Sequence, residues 1–343
     1  MTSFKDSPER EELKYYCPQC DSYYDMAGKN FLCNCGGFFQ LNKKSSDLTT
    51  ELSLGEVKTP VYHHKHQGYQ VAFKLDYYQP TGSFKDRGAR LMLGLLKEQG
   101  VKEIIEDSSG NAGAAIAAYA AAADIDCEIF LPENTSSSKV RQISAYGAKI
   151  RPIAGDRQKV MQRVQREAKK KVYASHIYNP LFIAGVSSLA EEILADFGEP
   201  GTLFLPAGNG SLLLGVAEGL EERGVNTKII AVQSKKCAPL YRLFKQKALD
   251  ISKLTTDTVA SGIAIPAPPR LTQMKEVVEK FQGEVVVVDE QEIIAAREYL
   301  GREGIYIEST AAVAWAGMKK FCQQNNSIPE PVVIPLTGSG LKE

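Results

Sequence analysis

From Gln70 onward, short runs of apolar residues alternate with longer stretches whose apolar positions recur at helical spacing. That alternation predicts α/β layering on a largely parallel sheet. The runs predict strands at Gln70 to Leu75, Glu103 to Glu106, Cys127 to Leu131, Lys149 to Ile153, Thr202 to Leu205, Lys228 to Gln233, Glu284 to Val288 and Val332 to Leu336. Helices fill most of the gaps, most plainly at Ala112 to Ala123 and Ala184 to Asp196, where propensity and apolar spacing agree. The proline-rich stretch Ile265 to Arg270 reads as a loop, and no internal repeat is visible. Before Gln70 the pattern differs: residues 1–44 form a short, aromatic, cysteine-bearing module, set off by the polar run Asn42 to Thr50, which reads as a linker.

The 343 residues are 43% hydrophobic, enough to bury a full core and to build two domains. Lys plus Arg and Asp plus Glu both total 41, and the charges form no long block of one sign. This argues against a nucleic-acid or membrane partner and for a small solute as ligand. The first residues lack the apolar core of a signal peptide, and no apolar run is long enough to cross a bilayer, so the expected location is the cytoplasm.

Three loops carry candidate chemistry. Pro80-Thr-Gly-Ser-Phe-Lys-Asp-Arg-Gly88 follows a strand and opens a helix, which puts Lys85 near a helix N-terminus. There the helix dipole disfavours a cation and favours the neutral amine, the form that attacks an aldehyde; a solvated lysine in a first turn is the alternative. Asp107-Ser-Ser-Gly-Asn-Ala-Gly113 again joins strand to helix, with small residues whose N–H groups suit a carboxylate; an ordinary N-cap would explain the serines alone. Pro206-Ala-Gly-Asn-Gly-Ser211 is arranged as a phosphate cradle. A dinucleotide fingerprint fits it less well, because the third glycine falls late, at Gly215, and no acidic residue closes the strand Lys228 to Gln233.

Together with Leu336-Thr-Gly-Ser-Gly-Leu-Lys342, these loops resemble the fold-type-II (tryptophan synthase beta-like) pyridoxal-phosphate family, most closely threonine synthase and its relatives, from about Thr59 to the end. Tyr146-Gly-Ala, Asn179-Pro180, Gly262-Ile-Ala-Ile and Ile307-Glu-Ser-Thr310 support the resemblance. It implies a two-domain α/β enzyme of mostly parallel sheets flanked by helices, spanning residues 50–343, with a smaller domain of about 90–185 inserted in the larger. A homodimer is also implied. Lys85 would hold pyridoxal 5'-phosphate as a Schiff base and shuttle protons, and Phe84 would pack on the ring. Asn111 would bond the ring's phenolic oxygen, and Ser108, Ser109, Gly110 and Ala112 would line the substrate carboxylate site. Gly208, Asn209, Gly210 and Ser211 would take the cofactor phosphate. Thr337 would face the pyridine nitrogen, where a hydroxyl leaves that nitrogen largely unprotonated and suits elimination or replacement better than transamination.

Cys17-Pro-Gln-Cys20 and Cys33-Asn-Cys35 give a pattern close to a zinc ribbon, and relatives of threonine synthase often begin with one. The second knuckle is one residue short, which leaves two readings open: a structural tetrahedral zinc, or a reduced, metal-free mini-domain. Cys127, Cys237 and Cys322 are expected to pack as small hydrophobes. His63, His64 and His66 are expected in a solvated loop.

The substrate is the open question. Where threonine synthases typically carry Asn-Ser before Asn-Pro, then an arginine and Gly-Gln-Lys-Thr, this chain has His176, Ile177, Phe182 and Gly185-Val-Ser-Ser188. Ala112 likewise replaces a common threonine. Ser187, Ser188, His176, Arg141 and Lys139 are the remaining candidates for an anion site. Three readings follow: threonine synthase or a close paralogue acting on O-phosphohomoserine; a serine or threonine ammonia-lyase or phosphoserine-using synthase; and a silent cofactor-binding regulator.

Overall fold

The computed structural model describes residues 12–135, 137–155, 157–246, 250–324 and 327–342. The module is a three-stranded antiparallel sheet of β1 (Tyr15–Cys17), β2 (Ser22–Tyr24) and β3 (Gln40–Leu41), with β1 in the middle. The polar run after it is no free linker. Backbone N–H groups of Ser45 and Ser46 donate to the two Glu222 carboxylate oxygens at 2.6 and 3.0 Å, which fastens the run to the main body.

Next come β4 (Val61–His66) and β5 (Tyr69–Lys74), an antiparallel hairpin. The three histidines therefore lie on an edge strand, contrary to the solvated loop expected. His66 packs edge-on against the fully buried Trp315, 5.0 Å between ring centres, and the Tyr299 hydroxyl is 3.1 Å from His64 Nε2. Half-buried Tyr62, His64 and His66 alternate with exposed His63 and Lys65, which is a strand's period of two.

A four-stranded parallel sheet follows, ordered β8-β7-β6-β9, from β6 (Glu103–Glu106), β7 (Asp126–Pro132), β8 (Lys149–Ile153) and β9 (Val172–Tyr173). The larger sheet is completed by β10 (Thr202–Pro206), β11 (Lys228–Ser234), β12 (Glu284–Val288) and β13 (Val332–Pro335) in the order β12-β11-β10-β13-β5-β4, parallel throughout except for the β4–β5 hairpin. Its central strands are buried on both faces and so read as nearly unbroken apolar runs, as parallel strands under helices must.

The helices are α1 (Lys85–Glu98), α2 (Asn111–Ala123), α3 (Ser137–Ala145), α4 (Arg157–Glu167), α5 (Pro180–Phe197), α6 (Ser211–Glu222), α7 (Pro239–Phe244), α8 (Leu271–Lys280), α9 (Glu290–Arg302) and α10 (Ser309–Gln324). Among the described residues no helix is long and apolar enough to cross a membrane. Helix α5 begins four residues before the expected start, because Pro180 suits a first helical turn and the Asn179 side chain caps it by accepting from the Leu181 N–H at 3.0 Å. Cys127, Cys237 and Cys322 are buried, as expected.

The module docks on the segment that leads into α5. Tyr15 donates to the Asn179 side-chain oxygen at 3.1 Å, Phe31 meets Tyr173 and Tyr178 edge-on, and Phe38 stacks on Tyr178. Arg270 completes the clamp: its guanidinium lies 4.3 Å from the Phe38 ring centre and donates to the carbonyls of Ile177 and Tyr178 at 2.6 and 3.0 Å.

Candidate active site

The three loops lie at the C-terminal ends of parallel strands and open helices α1, α2 and α6, the position at which α/β sheets present ligands to the backbone N–H groups of helix N-termini. The first is held rigid. The Thr81 N–H donates to an Asp86 carboxylate oxygen at 2.6 Å, and the chain turns through Gly82 at φ +84°, a left-handed conformation that favours glycine. The Phe84 N–H donates to the Thr337 carbonyl, the Ser339 N–H to the Gly82 carbonyl, and Lys342 Nζ to the Thr81 carbonyl at 2.8 Å, so the C-terminal segment is laced to the lysine loop. One turn on, Arg87 is locked between Asp76 and Glu192 at 2.6 and 2.7 Å.

A cavity of about 740 Å³ opens between the loops. It is lined by every residue expected to hold the cofactor or the substrate carboxylate: Phe84 and Lys85; Ser108, Ser109, Gly110, Asn111 and Ala112; Gly208, Asn209, Gly210 and Ser211; and Thr337. Lys85 Nζ donates to the Ser211 hydroxyl at 2.8 Å and lies 4.2 Å from the Phe84 ring centre. Burial brings its amine down to about 7; Glu308 and Glu106 act against that shift and Arg157 adds to it. The lysine is thus poised near neutral pH as a nucleophile or base.

Two glycines mark where the backbone must come close. A Cβ on Gly113 would fall 1.9 Å from the Ser108 carbonyl oxygen, so the serine loop can fold onto α2 only without a side chain there. Gly210 has φ +99° and immediately precedes α6, and Gly210, Ser211 and Leu212 line the cavity at that helix's N-terminal end. The Thr337 hydroxyl is buried and has no hydrogen-bond partner among the described residues. A buried, unpaired donor is costly and calls for an acceptor in the cavity.

Sequence reasoning gave no role to Glu308, Glu106, Arg157 or Gln142. Asn111 Nδ2 donates to both Glu308 oxygens, at 3.1 and 2.9 Å. Glu106, the last residue of β6, is fully buried against His176, with 2.5 Å between Oε1 and Nδ1. A carboxylate ending a buried apolar strand was the available signal for Glu106. Arg157, Gln142 and Lys342 also line the cavity. Of the candidate anion ligands, Arg141 and His176 are at the cavity, but Ser187 and Ser188 are not: their hydroxyls bond back to the Ala184 and Gly185 carbonyls of their own helix. The side chain of Lys139 lies outside the described residues. Phe182, where the family resemblance calls for an arginine, puts its ring centre 5.7 Å from Lys85 Nζ.

In the module, the four sulfur atoms of Cys17, Cys20, Cys33 and Cys35 lie within 4.8 Å of one another, with Cys20–Cys33 at 3.3 Å and Cys17–Cys35 at 3.5 Å. Tetrahedral zinc with bonds of about 2.3 Å needs sulfurs at about 3.8 Å, so a small expansion suffices to fit it.

A family model described as pyridoxal-phosphate dependent enzyme matches residues 52–338. The chain is 27% identical to the threonine synthase of Methanocaldococcus jannaschii, over 95% of this chain and 92% of that one. It is 31% identical to the biosynthetic L-threonine dehydratase of Pasteurella multocida, over 80% of this chain and 54% of that one. In fold it is similar to threonine deaminase isoform 2 of Solanum lycopersicum, with a TM-score of 0.73 and 22% identity, over 84% of this chain and 81% of that one.

Proposed function

Since the chain belongs to the pyridoxal-phosphate dependent enzymes, we propose that it works as a threonine synthase or a close paralogue, converting O-phosphohomoserine and water to threonine and phosphate. The observation that carries this reading is the pair Arg141 and Arg157. Both line the cavity that holds Lys85, and neither forms an ion pair among the described residues, so both are available to an anionic substrate side chain. The match to a threonine synthase over nearly the whole chain supports it.

The residues present fit the cofactor. The unpaired Thr337 hydroxyl suits a pyridine nitrogen, the glycine loop and the start of α6 suit a phosphate, and Lys85 suits an aldehyde. When bound, the cofactor supplies an electron-withdrawing ring that loosens the bonds at the substrate's α-carbon. Lys85 would hold its aldehyde and move protons at the substrate carbons. Phe84 would pack on the ring, and Asn111, held by Glu308, would bond the ring's oxygen. Ser108, Ser109, Gly110 and Ala112, at the start of α2, orient the substrate carboxylate. The same reading includes a structural zinc on Cys17, Cys20, Cys33 and Cys35, an inserted smaller domain of about 90–185, a homodimer and a cytoplasmic location.

A second reading, a serine or threonine ammonia-lyase, is favoured by Phe182 in place of a cation beside Lys85. The test is to incubate the purified holoenzyme with O-phosphohomoserine, serine and threonine and to measure inorganic phosphate and keto acid. Phosphate released with threonine from the first supports the synthase reading. Keto acid from the hydroxy amino acids, without phosphate release, overturns it in favour of the lyase.

A further inference from the structure

His176 and Glu106 form a pair that the roles above do not use. Glu106 ends β6 at the cavity edge of the smaller sheet, and His176 lies between β9 and α5. Their side chains are 0% and 5% exposed, 2.5 Å apart between Oε1 and Nδ1, and His176 lines the cavity. The second oxygen of Glu106 has no hydrogen-bond partner among the described residues.

The chemistry of the proposed reaction needs such a pair. Breaking the C–O bond of a phosphate ester dianion expels the phosphate trianion, and breaking that of an alcohol expels hydroxide; both are strong bases that leave readily only when a proton arrives. Lys85 is committed to the α-carbon and the cofactor. We propose, on the reading that this cavity eliminates an oxygen leaving group, that His176 is the catalytic acid that protonates that oxygen, with Glu106 resupplying the proton through Nδ1.

The protonation states agree with the geometry. Burial raises Glu106 to about 8 and pushes His176 well below its ordinary value, so near neutral pH the shared proton sits on the carboxyl, which donates to Nδ1. The ring's own proton is then on Nε2, the nitrogen left for a ligand. The charged and titratable groups around the pair are Asp107, Tyr173, which donates to Asp107 at 2.7 Å, Cys127, Lys85 and Arg157. In the step, the substrate's C–O bond breaks with its electron pair going to oxygen. The Nε2–H proton passes to that oxygen, and the Glu106 proton moves to Nδ1. The imidazole ends neutral as its other tautomer, and Glu106 ends as the carboxylate.

The experiment compares leaving groups in the holoenzyme and in His176→Gln and Glu106→Gln. With O-phosphohomoserine or serine, release of the oxygen leaving group should fall about 10²–10⁴-fold in kcat, the range for a positioned general acid, with KM little changed. With β-chloro-L-alanine, whose chloride departs without a proton, the fall should stay within about tenfold, and exchange of the substrate's α-hydrogen in deuterated water should persist. A parallel loss for both leaving groups would mean that His176 only supports the fold, and no loss for either would mean that it is idle; each result sinks the proposal. If His176→Gln does not fold, the isosteric Glu106→Gln is held to the same selectivity. A wild-type enzyme that expels chloride but no oxygen leaving group overturns the functional reading itself, and that result appears before any variant is made.

Discussion

Lys85 Nζ and the Ser211 hydroxyl meet at 2.8 Å, joining the first residue of α1 to the first residue of α6 across the cavity. On the proposed reading, the bond brings the amine that would take the cofactor's aldehyde beside the loop that would take its phosphate. Lys85→Ala should therefore abolish the visible absorbance band of the holoenzyme along with turnover. Ser211→Ala should keep the band but weaken cofactor affinity by about tenfold, the net worth of roughly one hydrogen bond. Both are read by titrating cofactor into the cofactor-free protein.

The rate of cofactor uptake should depend on pH with a midpoint near 7. Burial disfavours the Lys85 ammonium, so the reactive neutral amine disappears as pH falls below that value and saturates above it. Arg157→Ala removes a cation that disfavours the ammonium and should move the midpoint up. Glu308→Gln removes a carboxylate that favours the ammonium and should move it down. Stopped-flow absorbance between pH 5.5 and 9 measures all three.

Much of this site was legible in the sequence, because loops at strand ends announce themselves by clusters of glycine, serine and asparagine that regular elements exclude. Lys85, Asn111 and Ser211 each prove to be the first residue of a helix, as their loops implied. Pairings between distant residues were not legible. Nothing local in Glu106 names His176 as its partner, and nothing in Asn111 names Glu308. The strand at Val61–His66 was missed because its histidines and lysine mask an alternation that Trp315 and Tyr299 satisfy from elsewhere in the chain.

Thr337→Asp should change the course of the reaction as well as its rate. A carboxylate facing the pyridine nitrogen would hold it protonated and deepen the electron sink. Elimination should fall at least tenfold, and slow transamination should appear, detected as pyridoxamine phosphate by chromatography. Without cofactor the variant should melt lower than the parent, because this position is 1% exposed and a new carboxylate there lacks a partner.

Arg141→Ala and Arg157→Ala should each raise KM for a phosphorylated substrate by about 10- to 100-fold, the worth of one charge-assisted hydrogen bond. Elimination from β-chloro-L-alanine, which carries no second anion, should change little. Steady-state kinetics on the two substrates separates lost anion binding from a general loss of structure.

Elemental analysis should find one zinc per chain. Cys20→Ser should lose it and lower Tm by about 5–10 °C, as a few kcal/mol does in a chain of this size.

The clamp of Phe31, Phe38 and Arg270 around Tyr178 also sets the shortest useful length of this protein. A chain cut to the family-matched stretch, residues 52–338, would strip the ring contacts from Tyr173 and Tyr178 and the hydrogen bond from Asn179. It would also remove Lys342, which holds the lysine loop from the other side. The bared aromatic faces would form a sticky apolar patch beside the loop that carries His176. Domain trimming by family boundaries, routine in expression screening, would here yield a protein that self-associates at its own active-site wall.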